Sequence, residues 1–184
     1  MPAAAHRFFV LTGGPGSGKS TLIAALAARG FNVAPEAGRA IIRQQMRIDG
    51  PALPWQDRAA FAAAMLIHDM RSHDEMADAA GPVFFDRGIP DVAGYLSLCG
   101  LPVPAHIVRA CAAFRYARDV FVAPPWREIF ASDAERRQDW DEAVRTHGVM
   151  ARIYPEFGYR LLDLPLADVD ARADFVLRHV AAAG

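Results

Sequence analysis

Lysine is all but missing from this chain. Lys19 is the only one, and every other residue among the 20 lysines and arginines is arginine. Arginine can stand in for lysine on most surfaces. A planar guanidinium cannot replace a compact ammonium inside a tight phosphate cradle, so the one position spared is informative. The missing second lysine also excludes an Asn-Lys-x-Asp guanine signature, which favours ATP over GTP. Cysteine is scarce: Cys99 and Cys111 are the two. They form no metal-type cluster, and a reduced cytoplasmic setting with both thiols structural is expected. The first residues run directly into a predicted strand, with no leader-like apolar region and no membrane-length apolar run anywhere. The formal net charge of −1 gives no broad basic field, so neither nucleic acid nor an anionic membrane is expected as a partner. No internal repeat or low-complexity linker is visible. The 184 residues suggest one domain spanning 1–184.

The lone lysine lies in Gly13-Gly14-Pro15-Gly16-Ser17-Gly18-Lys19-Ser20-Thr21, which fits the phosphate-loop pattern G-x-x-x-x-G-K-[ST] without a mismatch. Its context fits as well. Phe8–Leu11 is a short apolar run that reads as a buried strand, and Leu22, Ile23 and Leu26 follow at helical spacing, with Gly30 as a stop. Glycines let the backbone curl so that successive N–H groups form an anion nest, and the helix that opens at Gly18-Lys19 adds its positive end. In such a loop Lys19 reaches the β- and γ-phosphates of ATP, and the Ser20 hydroxyl ligates Mg²⁺.

Further strands are predicted at 31–34, 83–85, 120–123 and 159–164. Helices are predicted after Glu36, over 56–79, from Pro90, over 104–117, over 133–153 and over 169–183. Phe61, Met65, Leu66 and Met70 form the apolar stripe of the long second-quarter helix. Five short strands alternating with helices predict an α/β fold, a five-stranded parallel sheet with helices on both faces. Ligands of such sheets bind at the carboxyl ends of the strands. The glycine loop, Glu36 and Asp86-Arg87 all fall there.

Asp86 ends an apolar strand, the setting in which a carboxylate holds Mg²⁺ directly or through water, and Arg87 beside it can pair with transferred phosphate oxygens. A strand-end salt bridge is the plainer alternative. Glu36 is a candidate general base for an attacking hydroxyl, with Asp86 its competitor. Arg39, one turn on, can pair with Glu36 or bind substrate. Arg136 and Arg137, in a lid region of about 126–150, are candidates for neutralising charge on a transferred phosphoryl group, with Arg127 weaker; a solvated helix with local ion pairs explains them equally. Trp55, Phe61, Met65 and His68 are candidate acceptor-pocket residues, although core packing accounts for Phe61 and Met65 as well. His73, His106, His147 and His179 lack ligand spacing.

Together, Gly13 to Thr21, Pro35 to Arg39, Phe84 to Gly88 and Asp133 to Gln138 resemble the P-loop kinase superfamily in its nucleoside- and nucleotide-kinase branch. The resemblance is to the family labelled AAA domain, putative ATPase/kinase, which is similar to ribosylnicotinamide kinase domains. It implies a P-loop nucleoside-triphosphate hydrolase fold. It also implies a strand-two carboxylate at Glu36 and an acid–arginine pair at Asp86-Arg87. No ring arginine finger or separate helical lid domain is visible, which argues against a hexameric motor. The expected activity is transfer of the γ-phosphoryl of ATP, with Mg²⁺, to a hydroxyl of a nucleoside-like or other small acceptor of unidentified structure, by a monomer or homodimer. The alternative is a regulatory module that binds nucleotide and hydrolyses ATP slowly without a dedicated acceptor.

Overall fold

The computed structural model describes residues 5–130 and 139–183. After a single 3₁₀ turn at Ala5–Arg7, strands and helices alternate: β1 (Phe8–Gly13), α1 (Lys19–Ala28), β2 (Asn32–Ala34), α2 (Ala37–Arg47), α3 (Arg58–Glu75), β3 (Val83–Asp86), α4 (Ile89–Leu98), α5 (Ala105–Ala113), β4 (Asp119–Ala123), α6 (Trp140–Glu156), β5 (Arg160–Asp163) and α7 (Val169–Ala183). The five strands form one parallel sheet in the order β2-β3-β1-β4-β5. β1 is central and buried at every position, which is why it reads as an unbroken apolar run. The chain crosses from β3 on one side of β1 to β4 on the other. The crevice at the carboxyl end of β1 therefore lies at the switch point of the sheet.

β1 divides its side chains by strict alternation. Phe9 and Leu11 pack with Leu22, Ile23 and Leu26 of α1 and with Ala173 and Val176 of α7. Phe8 and Val10 face a larger cluster that includes Leu66 of α3, Val92 and Leu96 of α4, Ile107 of α5 and Met150 of α6. Both faces are covered, as the sequence pattern predicts. A smaller cluster of Ala37, Ile41 and Phe61 docks α2 on α3.

Some element ends differ from the sequence-based expectation. The long helix starts at Arg58 rather than at 56, because the Asp57 carboxylate accepts a bond from the Ala60 amide at 2.9 Å and caps it. α5 stops at Ala113 rather than 117. Tyr116 drops into the core, and the Ala117 amide donates to the Phe8 carbonyl at 2.7 Å, leading the chain into β4. Met46 of α2 is 64% exposed, because only the Ala37–Ile41 side meets α3. Of the expected lid region, residues 140–150 are the first turns of α6. The Asp139 carboxylate caps them by accepting from the Glu142 amide, and Ala143, Thr146 and Met150 are buried there. His73 is a core residue: it is buried, its Nε2 lies 3.0 Å from the Arg115 carbonyl, and its ring meets Phe8 edge-on. Among the described residues no helix is long and apolar enough to cross a membrane.

Candidate functional site

The loop from Gly13 to Thr21 joins the end of β1 to the first turn of α1. Its glycines are required sterically. Gly13 has φ +126°, and a Cβ there would lie 2.4 Å from the Ala123 carbonyl oxygen of β4. Gly18 has φ +79°, and a Cβ would meet the Arg172 guanidinium at 2.7 Å. Lys19 is 5% exposed. Its Nζ donates to the carbonyls of Gly13 (3.1 Å) and Gly14 (2.6 Å) and to Ser17 Oγ (3.2 Å), so the ammonium is folded inside the curl of the loop. The Ser17 hydroxyl in turn donates to the Gly14 carbonyl at 2.8 Å. The amides of the first turn of α1 have no intrahelical acceptor, and they open on a cavity of about 430 Å³. A curled backbone, one ammonium and a helix start make an anion cradle.

Ser20 and Asp86 meet beside that cradle. The Ser20 hydroxyl donates to Asp86 Oδ2 at 3.1 Å, while Oδ1, sealed from solvent, has no hydrogen-bond partner. Burial pushes the Asp86 carboxyl above its usual range, and the Lys19 charge opposes the shift. A hydroxyl and a carboxylate with an unused buried oxygen suit Mg²⁺, which takes oxygen ligands and keeps most of its coordination for phosphate and water. Among the described residues no group of three or more His, Cys, Asp or Glu is placed to hold a metal alone.

Arg87 and Glu36 form the next layer. Arg87 has a left-handed backbone (φ +75°), unusual for a residue with a side chain. Its Nε donates to Glu36 Oε1 at 3.2 Å and its guanidinium NH1 to Asp91 Oδ1 at 3.0 Å. Burial works against the guanidinium charge, but Glu36, Asp91 and Asp86 outweigh it and hold the group protonated. Asp91 is the residue that sequence reasoning missed. It lies in the first turn of α4 and accepts from four groups: the Thr12 hydroxyl (2.6 Å), Arg87, the Gly88 amide (3.0 Å) and the Tyr154 hydroxyl (2.5 Å). The local signal was an acid three residues beyond Gly88, at helix capping-box spacing and just after Pro90. Nothing local announces its bonds to β1 and α6.

A second cavity of about 410 Å³ adjoins the first, and Pro15, Glu36 and Arg39 line both. Trp55, Phe61 and Met65 line it as expected, together with Arg87 and Asp91. His68 does not. Its imidazole turns along α3, with Nδ1 3.4 Å from Ser72 Oγ and 3.9 Å from Asp69 Oδ1, which corrects the expectation. Arg127 stacks on the Trp140 ring at 4.8 Å and is absent from both cavity linings. Arg136 and Arg137 lie outside the described residues.

The outer wall of the first cavity comes from segments that carry no motif. Phe130 lies against Gly16, where a Cβ would approach its ring to 2.6 Å, and Trp126 lines the cavity close by. Arg172, in the first turn of α7, is 3% exposed. It donates to the Ser17 carbonyl at 3.0 Å, its guanidinium lies 5.9 Å from the Trp126 ring centre, and burial lowers its affinity for its proton. Arg172 thus braces the loop from α7, which packs beside α1 on the same face of the sheet. Arg172→Ala is expected to weaken triphosphate binding about tenfold, the equivalent of one charge-assisted bond. Calorimetric titration checks this, and unchanged affinity would remove Arg172 from the site.

A family model described as an AAA domain matches residues 8–172. No curated protein matches the chain in sequence. Among solved structures, a NadR protein in complex with NR superposes with a TM-score of 0.72 at 19% identity, covering 97% of this chain and 50% of that one. This chain therefore spans about half the length of NadR. A deoxyadenosine kinase from M. mycoides with bound nucleotide products gives 0.67 at 11% identity over 95% of this chain and 99% of its own. A thymidylate kinase from Ehrlichia chaffeensis gives 0.63 at 14% identity over 96% and 99%. At these identities the likeness is one of fold: a P-loop, kinase-like α/β architecture with its five-stranded parallel sheet.

Proposed function

The chain belongs to the AAA-domain family, and on that premise we propose that it is an ATP-dependent small-molecule kinase. The observation that carries this reading is the pair of adjoining cavities that share Glu36. The first takes the triphosphate on the glycine loop. The second takes an acceptor, whose hydroxyl meets the γ-phosphate where the two cavities join. A module that only hydrolyses ATP has no use for the second cavity.

In this reading the loop amides and Lys19 hold the β- and γ-phosphates, and Ser20 with Asp86 holds Mg²⁺, which offsets phosphate charge. Arg172 fixes the loop from outside. Glu36, ion-paired with Arg87, accepts a hydrogen bond from the acceptor hydroxyl. As the oxygen–phosphorus bond forms, the bond from the γ-phosphorus to its bridging oxygen breaks. The hydroxyl proton passes to Glu36 and ADP leaves. An ion-paired carboxylate is a weak base, which is sufficient when the transition state is loose and catalysis is mainly positioning. Asp86 is the poorer candidate for the proton, since it faces Ser20 and the metal position. Arg136 and Arg137 remain proposed phosphate-neutralising residues.

The test is a screen of hydroxyl-bearing small molecules with ATP, read by ADP release and by a gain of one phosphate in mass. An acceptor that raises ADP release well above background supports the kinase. Release that no acceptor stimulates sinks it. With an acceptor in hand, Glu36→Gln is expected to lower kcat on the order of 100-fold while ATP affinity changes less than about twofold.

A further inference from the structure

Two neighbouring residues of the connection after β4 rest on the bare backbone of the phosphate loop. The Phe130 ring occupies the space that a Cβ on Gly16 would need, and a Cβ on Gly18 would come within 3.1 Å of the Ile129 side chain. Gly16 and Gly18 have φ of +69° and +79°, a freedom that lets the loop curl and that something must take away before the curl is fixed. Trp126, Ile129 and Phe130 line the first cavity. The connection is therefore one wall of that cavity, and the wall is only as fixed as its anchors.

Its near end leaves β4 through Pro124 and Pro125, whose rings stiffen the backbone. Trp126 then stands beside the Arg172 guanidinium. Arg127, Glu128 and Ile129 are exposed. The far anchor is Trp140, the first residue of α6. Phe130 meets its indole edge to face, with ring centres 5.5 Å apart and planes at 84°. The Arg127 guanidinium lies over the same indole at 4.8 Å. Trp140 thus grips the connection at both Arg127 and Phe130. The helix behind it is docked on the loop as well: the Ala143 carbonyl packs on Gly14 so closely that no Cβ fits there. The start of α6 therefore holds Gly14 directly and Gly16 through Phe130. Trp140 itself lines neither cavity.

We propose that Trp140 is a positioning residue for the triphosphate: it pins Phe130 on Gly16 and so holds the loop in its binding shape, without touching the nucleotide. This rests on the reading of the first cavity as the triphosphate site. A curl of amides binds phosphate well only while its N–H groups converge, and a loop that must be ordered on binding loses affinity by the cost of ordering it. Trp140 meets that cost in advance. An edge-to-face ring pair and an exposed cation–π contact are each worth a few-fold, so losing both weakens binding about tenfold.

The experiment is calorimetric titration of the full chain with MgATP, with circular dichroism confirming the fold of each variant. Trp140→Leu keeps an apolar side chain and loses the ring, and is expected to weaken binding about tenfold. Trp140→Phe keeps a ring for both contacts and should stay within about threefold of wild type. Phe130→Leu should resemble Trp140→Leu. The two together should lie within about threefold of Trp140→Leu alone, because both act through one contact, whereas independent structural losses would multiply to about 100-fold. Unchanged affinity in Trp140→Leu overturns the proposal. So do losses that multiply in the double variant, or a Trp140→Phe protein as weak as Trp140→Leu. Should Trp140→Leu fail to fold, Arg127→Ala decides on an exposed side chain: binding weakened roughly two- to fivefold supports the proposal, and unchanged binding overturns it. Wild-type protein that does not bind MgATP removes the triphosphate reading itself. Wild-type binding with an indifferent Trp140→Leu removes this inference alone.

Discussion

Replacing Lys19 with alanine is expected to lower triphosphate turnover about 1,000-fold and to weaken ATP binding severely, while the fold survives. The ammonium sits inside the curl of the loop with Gly13, Gly14 and Ser17 as its partners. Those partners are two carbonyls and a hydroxyl, all weaker than a phosphate as acceptors of a charged donor, so an arriving triphosphate outcompetes them. Removing a single preorganised donor at developing negative charge costs on the order of 10²–10³ in rate, and a full positive charge falls at the upper end. Lys19→Arg should not rescue, because the site is nearly closed and fits a compact head. Calorimetry with ATP, steady-state ADP release and circular dichroism make the check. Native-like turnover in a folded Lys19→Ala protein would remove the phosphate cradle from the mechanism.

The second large effect concerns stability. Asp91→Ala is expected to destabilise the protein by about 3–5 kcal/mol, the range for leaving a buried charge without its partner. Four donors converge on Asp91. The alanine strands the hydroxyls of Thr12 and Tyr154, both fully buried, and takes from Arg87 one of its two hydrogen-bonded carboxylates. Tyr154→Phe, which removes one donor, should cost only about 1 kcal/mol. Urea unfolding reads both, and an Asp91→Ala midpoint close to wild type would contradict the account. Because Asp91 also holds Arg87, whose other hand is on Glu36, the substitution should lower kcat as well, even though Asp91 touches the chemistry only through Arg87.

The architecture was legible because its signals are local. Phe8–Leu11 and Val83–Phe85 are apolar runs that only a sheet covered on both faces can hide, and the spacing from Gly13 to Ser20 describes the loop that joins one of them to its helix. Glu36, Asp86 and Arg87 could be placed because strand ends converge in this topology. Arg172, Trp126 and Phe130 could not. They arrive at the loop through tertiary packing from segments that read as ordinary helix and connection. Asp91 was hidden for a related reason: one carboxylate early in a helix is commonplace, and its weight comes from a threonine on β1 and a tyrosine on α6. His68 shows the converse. It shares a helix with Phe61 and Met65, yet local partners on α3 turn it away from the cavity.

The order of the sheet bears on how the protein is made. Among the described residues β1 is hydrogen-bonded only to β3 and β4, and β2 only to β3. No strand can pair until Val83–Asp86 has left the ribosome. At roughly 5–20 residues per second, that leaves Phe8–Gly13 waiting several seconds with no partner for its backbone. During that interval the apolar run Phe8–Leu11 is exposed to aggregation, and the nascent polypeptide should depend on a holding chaperone until its third strand emerges.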